Sequence, residues 1–224
     1  MEFAVLGWPA DEPRLRLDYR RFSYAGKFVT ATAGIAVVRG DPPADSDSAD
    51  ADSLPPLPEG LDADAFVDDI LAAVAFNADR TDSQILWLRY LTVRDDLRGS
   101  GLELGPRLAA FLLTQAAERE YRRARIAVNN AFSYHALYKA GFAFGGRETG
   151  LAELILERPV DEPASTAKAT ATTTYQQGLD VFREREGLSA AERAFLDAKD
   201  GAEPPEPIAV AVDSGGSNSR RPSG

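Results

Sequence analysis

The stretch VRDDLRGSGLELGPRLAAFLL, residues 93–113, sets three glycines (Gly99, Gly101, Gly105) between an apolar run and an amphipathic one. The run before it, SQILWLRYLTV over 83–93, reads as a buried strand. The run after it carries Leu104, Leu108, Phe111, Leu112 and Ala116 on one helical side, and ARIAV (124–128) follows as a short strand. A strand, a helix and a second strand in such close succession read as a parallel pair with a crossover helix. Glycines at the strand-to-helix turn let backbone N–H groups close on an anion, and the helix N-terminus adds its positive dipole end. The stretch therefore points to a mixed α/β domain, and it nominates a phosphate-bearing ligand.

The rest of the chain fits around this unit. RLRLDYRRF alternates through Leu15, Leu17 and Tyr19, and KFVTATAGIAVV is rich in β-branched residues, so residues 3–39 read as strands. The acidic, proline-broken segment 40–60 reads as a disordered loop. LDADAFVDDILAAVAFNA shows helical spacing at Phe66, Ile70, Leu71 and Val74, with Asp62 or Asp64 as its cap. AFSYHALYKA (131–140) reads as a short helix and FAFGGRETGLAELILER (142–158) as a strand pair. From Pro159 the composition shifts to Ala, Thr, Glu and Pro. Two short amphipathic helices are predicted there, with Leu179, Phe182, Leu188 and Phe195 apolar, before a disordered tail over 202–224. The expected organisation is a domain over 1–158, a helical extension over 159–201 and that tail.

Composition removes several kinds of chemistry. The chain has no cysteine and one histidine, which excludes thiol catalysis, thiolate metal sites and a histidine-built metal centre, so no metal is expected. Its formal net charge is −10, which argues against non-specific binding to nucleic acid or an anionic membrane. No apolar run approaches a membrane span, Met1–Val5 lacks the basic start of a signal peptide, and a cytoplasmic location is expected. The charged set holds 20 Asp and 15 Glu against 4 Lys and 21 Arg. Acid-rich, lysine-poor surfaces suit concentrated salt, where screening silences repulsion between carboxylates, and a halophilic archaeal source is the reading drawn. An ordinary acidic protein from a GC-rich genome is the alternative.

Three phosphate loops compete for the glycine stretch. A P-loop ends in Gly-Lys-Ser/Thr, which LGPR does not supply, and a dinucleotide fingerprint belongs in the first βαβ unit rather than mid-chain. The third fits. A strand, VRDDLRGSGL, an amphipathic helix, a strand, and NNAFSYHALYKAGF resemble, in that order, the two principal motifs of the GNAT family of N-acetyltransferases. Arg98-Gly99-Ser100-Gly101 matches the start of that family's acyl-CoA loop, and Asn130 precedes Gly141-Phe142 at the family's spacing. The resemblance implies a mixed central sheet flanked by helices, whose parallel strands splay at the acyl-CoA site. It implies acetyl-CoA as donor, held by Leu91, Thr92, Val93, Arg98, Gly99, Ser100, Gly101, Gly105, Arg107, Asn130 and Ser133. It also implies transfer to a primary amine of a small molecule or protein by direct attack in a ternary complex. A non-catalytic acyl-CoA sensor or scaffold of the same fold is the alternative, and a homodimer is left open.

The chain departs from that family in two places. Glu103 stands where Gly or Ala is usual. An insertion of Glu103-Leu104 accounts for it, with Pro106 at the first helical position, the helix beginning at about Gly105 and Glu103 turned from the phosphates. The family's catalytic tyrosine position is Leu137, with Tyr138 one residue late, about 100° around a helix. Tyr138 is the expected acid for the leaving thiolate, with Tyr134 or no side chain as alternatives. No base is singled out among Asp82, Asp95, Asp96, Glu148 and His135. Arg89 and Tyr90 either line the acceptor site or pack the sheet.

Overall fold

The computed structural model describes residues 1–43, 54–164 and 170–208. Seven strands form one sheet: β1 (Glu2–Gly7), β2 (Gly34–Arg39), β3 (Ile70–Ala78), β4 (Ile85–Val93), β5 (Arg123–Val128), β6 (Ala143–Glu148) and β7 (Leu154–Pro159). Their order across the sheet is β1-β2-β3-β4-β5-β7-β6. Strands β1 to β4 form an antiparallel meander, and β5, β7 and β6 pair antiparallel in turn. The halves meet where β4 runs parallel to β5. That join needs a crossover, supplied by helix α2 (Leu104–Ala117), which follows a single helical turn, α1 (Lys27–Thr30). Helix α3 (Ala131–Lys139) links β5 to β6, and the chain continues into α4 (Thr172–Arg183) and α5 (Ala190–Ala198).

Helix α2 exists because its apolar stripe has a sheet to cover. Leu108, Ala109, Leu112, Leu113 and Ala116 are buried in one cluster with Leu86, Leu88, Val74 and Ala124. Each fully buried Leu contributes about 1.5–3 kcal/mol relative to exposure. Tyr175, Leu179, Phe182 and Leu196 of α4 and α5 belong to the same cluster, packed with Tyr134 and Tyr138 of α3. A smaller cluster on the opposite face holds Ile35, Val37, Ala73 and Ala75 under Leu15, Leu17, Phe22 and Phe28.

Three expectations are corrected here. Residues 61–78 are not a helix: a 3-10 turn spans Ala63–Ala65 and a strand spans Ile70–Ala78. Ile70 through Phe76 are each at most 1% exposed, so this strand is buried on both faces. Such a strand reads as an unbroken apolar run without alternation, and the spacing of its large residues imitated a helical face. Residues 14–22 are not a strand. Their period-2 apolar residues instead anchor an irregular arm across the sheet, with the Leu15 N–H on the Phe28 carbonyl. The KFVT segment makes a helical turn, and its strand begins only at Gly34. There a Cβ would lie 2.5 Å from the Phe76 ring, so the position requires glycine.

Among the described residues no helix is long and apolar enough to cross a membrane. The expected tail is described only to residue 208, where the Ile208 N–H bonds the Lys139 carbonyl. Residues 209–224, and 44–53 of the acidic segment, lie outside the described residues.

Candidate active site

Strands β4 and β5 pair only from Ile85↔Arg123 to Leu88↔Ile126. Beyond that point β4 stays with β3 and β5 stays with β7, so a gap opens between Arg89–Val93 and Ala127–Val128. A β-bulge sits at the point of parting, with Tyr90 opposite Ala75 and Leu88 opposite Phe76, which leaves Arg89 as the extra residue. The bulge reverses the alternation. Leu86 and Leu88 face α2 before it, Leu91 and Val93 face α2 after it, and Tyr90 packs on the opposite face.

The ladder also decides which backbone groups enter the gap. The Arg94 N–H bonds the Leu71 carbonyl of β3 at 3.0 Å. By antiparallel alternation Thr92 and Tyr90 likewise bond β3, while Leu91 and Val93 turn their N–H and carbonyl groups into the gap. The expected trio is therefore divided: Leu91 and Val93 present backbone there and Thr92 does not. The Val93 carbonyl already accepts a bond from Arg98 Nε at 3.2 Å.

The glycine loop stands at the mouth of this gap. Gly99 and Gly101 have φ of +74° and +80°, the left-handed region open to glycine, and a Cβ on either would meet only open space. Among the described residues the N–H groups of Gly99, Gly101, Glu103, Leu104 and Gly105 have no acceptor, so they form an array of free donors at the start of α2. Gly105 packs under β4, where a Cβ would lie 3.5 Å from Val93 Cγ2. The helix starts at Leu104 rather than Gly105, which puts Pro106 in its third position; its missing N–H is still one that a first turn leaves unpaired. Glu103 holds φ +52° and its carboxylate pairs with Lys139.

The side chains expected at the phosphates are mostly engaged within the chain. Arg98 pairs with Asp95 at 2.7 Å and donates to Ser23 Oγ at 2.9 Å, in addition to Val93. Ser100 Oγ donates to the Leu97 carbonyl at 2.8 Å. Arg107 leaves the loop and lies over the Phe3 ring, 5.3 Å from its centroid. Asn130 caps α3, its Oδ1 accepting from the Ser133 N–H at 2.8 Å. These residues shape the loop and its helices, and the free donors are backbone.

Tyr138, the expected acid, has its side chain away from the gap. Its side chain is fully buried, and its hydroxyl accepts from the Phe144 N–H at 3.0 Å and from the Tyr134 hydroxyl at 3.1 Å. Phe144 lies on edge strand β6, opposite Leu156 of β7, which is opposite Ile126 of β5. The hydroxyl is thus two strand spacings, about 10 Å, from the strand that lines the gap. Burial raises the Tyr138 pKa, and that of Tyr134 is raised further. Tyr134 donates to the Tyr175 carbonyl at 3.0 Å and is enclosed by α4. Both tyrosines are core.

The carboxylates named as bases are also placed elsewhere. Asp96 is held by Arg94 through two bonds of 2.7 and 2.5 Å, which lower its pKa, and Asp95 belongs to Arg98. Asp82 caps the turn before β4, at the far end of that strand, and Glu148 is exposed on edge strand β6. His135 Nδ1 lies 2.7 Å from the Tyr175 hydroxyl, and burial pushes its pKa down to about 4. Among the described residues no group of three His, Cys, Asp or Glu side chains is placed to hold a metal ion. A recess of about 810 Å³ lined by Trp8, Gln84, Tyr121 and Arg122 lies at the opposite end of the sheet and is separate from the gap.

Sequence reasoning missed the bulge at Arg89, although the apolar positions Leu86, Leu88, Leu91 and Val93 record the break in parity. It also missed the arm at 14–33 that brings Tyr24 and Lys27 beside Tyr90 of β4 and Ser23 to Arg98 of the glycine loop.

No protein-family model matches the chain, and no curated protein sequence matches it. Solved structures do resemble it. One is assigned to the acetyltransferases of the GNAT family, from Desulfovibrio desulfuricans (13% identity, 58% of this chain and 71% of that one, TM-score 0.40). Nourseothricin acetyltransferase is similar over 71% of this chain and 98% of its own (17% identity, TM-score 0.43). The PaiA N-acetyltransferase of Thermoplasma acidophilum, solved with coenzyme A, is similar over 44% of this chain and 57% of its own (16% identity, TM-score 0.34). The match thus spans little more than half of that last chain.

Proposed function

We propose that the protein is an N-acetyltransferase that moves an acetyl group from acetyl-CoA to a primary amine. The carrying observation is the juxtaposition of the free N–H array at 99–105 with the gap that opens beyond Leu88 and Ile126. A pyrophosphate would fit the array, because backbone donors and the α2 dipole favour an anion and the nearby described carboxylates, Asp95, Asp96 and Glu103, are paired with Arg98, Arg94 and Lys139. The extended arm of the same molecule would lie along the Leu91 and Val93 backbone as an added strand.

The residues then have separate tasks. The Leu91 and Val93 N–H groups can donate to an acyl oxygen as it gains negative charge during attack, and one such donor is worth about 3 kcal/mol in other acyl transfers. The sheet on both sides of the gap orients the acyl group. Attack by the neutral amine is direct, with no enzyme-bound intermediate: the C–N bond forms, the C–S bond breaks, the nitrogen gives its surplus proton to water, and the thiolate takes one from water. Among the described residues none of the acids and bases expected from the sequence faces the gap, which is what favours the second reading, an acyl-CoA-binding module without turnover. Acetylation of an amine panel separates the two.

Calorimetry with acetyl-CoA tests the placement. Wild type should bind it, and free CoA should compete. Gly101→Val should lose at least about tenfold in affinity, while a left-handed φ on a β-branched residue costs about 1–2 kcal/mol of stability, a shift of several degrees in Tm. No binding by wild type, or equal binding by the variant, would remove the loop from the site.

A further inference from the structure

Resting on the acetyl-transfer reading, the open face of the gap carries information about the acceptor. The α2 face is filled by the glycine loop and the helix, so an amine can approach only from the opposite face. There β4 displays a row of side chains: Trp87, then Arg89 at the bulge, then Tyr90 and Thr92.

Arg89 is unusual in that row. Its Nε donates to Asn77 Oδ1 at 2.8 Å and its guanidinium stacks on Trp87, 4.3 Å from the ring centroid. No carboxylate among the described residues pairs with it. Two carboxylates beside this end of the strand, Asp79 and Glu157, are committed to other arginines. Arg125 takes Asp79 at 3.1 Å and Glu157 at 2.7 Å, and Glu157 also serves Arg123 and Arg147. Burial is the main cause that lowers the Arg89 pKa, with repulsion from Arg80 and Arg125 added and the charge of Asp79 only partly offsetting it. Arg89 is thus a partly desolvated cation without a directly paired carboxylate. A second cation, Lys27 Nζ, lies 5.8 Å from the Tyr90 ring centroid, and Tyr24 stands beside Tyr90 at 5.8 Å, half exposed. Thr92 Oγ1 is buried on the same face with no hydrogen-bond partner. In a chain of net charge −10, this cationic corner at the open gap calls for an anion.

We infer that Arg89, fixed by Asn77 and Trp87 at the parting of β4 and β5, selects acceptor amines that also carry an oxyanion, a carboxylate or a phosphate. The planar guanidinium offers its two terminal nitrogens to such a group in parallel, which a lysine cannot do.

The test uses the full chain and matched pairs: phenylalanine with phenylalaninamide, and phosphoethanolamine with ethanolamine. Wild type should favour the anionic member in kcat/KM by about tenfold or more, the strength of a charge-assisted hydrogen bond. The pair that shows it names carboxylate or phosphate. Arg89→Met should bring that ratio to within about twofold of one, and Arg89→Lys should leave it intermediate, with acetyl-CoA affinity unchanged in both. Equal use of both members by wild type, or equal loss on both in Arg89→Met or Arg89→Lys, overturns the inference. Calorimetry of the same four amines on the chain with CoA reads the preference without turnover. An anionic preference there that Arg89→Lys weakens supports the site even if acetyl transfer or acetyl-CoA binding fails, which would count against the enzymatic reading alone. No preference in binding or turnover overturns the anion site itself.

Discussion

Replacing Tyr138 by Phe separates the two roles that this residue could have. As the acid for the leaving thiolate, its hydroxyl would be worth about 10²–10⁴-fold in kcat, and its loss would barely affect stability. The structure assigns the opposite outcome. The hydroxyl is the acceptor for the Phe144 N–H at 3.0 Å and one of three acceptors available to Tyr134, the others being the carbonyls of Thr174 and Tyr175. Removing it leaves the Phe144 N–H buried without a partner, a cost of about 1–3 kcal/mol, while Tyr134 retains its carbonyls. The ring still packs against Tyr134 and Tyr175 at 4.9 Å. Stability is read from urea midpoints at constant slope, and kcat from acetyl-CoA-dependent CoA release with whichever amine is turned over. The expected result is a lower midpoint with kcat within about twofold of wild type. A kcat loss of a hundredfold at unchanged midpoint would refute the reasoning and return Tyr138 to the gap.

Two further perturbations probe the extension and the histidine. Gly178→Ala should destabilise by about 1–3 kcal/mol in urea titrations, because its Cβ would lie 2.2 Å from the Tyr134 hydroxyl, which outweighs the roughly 1 kcal/mol that Ala gains in a helix; Tyr134→Leu in the same chain should recover part of the loss, and an unchanged midpoint would mean that α4 is not packed on α3. His135 is held neutral, with a folded pKa of about 4 against the ordinary 6.5 of a free imidazole, so the unfolded chain binds the extra proton first as pH falls. Its contribution is complete above pH 6.5 and is lost as pH drops toward 4, on the order of 3 kcal/mol, and His135→Gln should flatten that slope.

Local pattern determined much of this protein. The strand, glycine turn, helix and strand over 83–128 form where their periodicities place them, since a buried strand, a φ-positive turn and a one-sided helix are each written in contiguous residues. The strand pair read over 142–158 was legible for the same reason. Tertiary structure decided what depends on distant partners. Ile70–Phe76 became a strand because both its faces were to be covered, and the same residues taken alone fit a helical face. The alternating 14–22 segment became an arm because β1 and β2 were already paired with each other. Tyr138 lies in the right motif, yet the direction of its side chain was set by α4 and β6, 30 or more residues away in the case of Tyr175. Arg89 gained its meaning only when the chain folded: spatial packing allotted the direct ion pairs of Asp79 and Glu157 to its neighbours, and no linear spacing records which cation is left without a paired carboxylate.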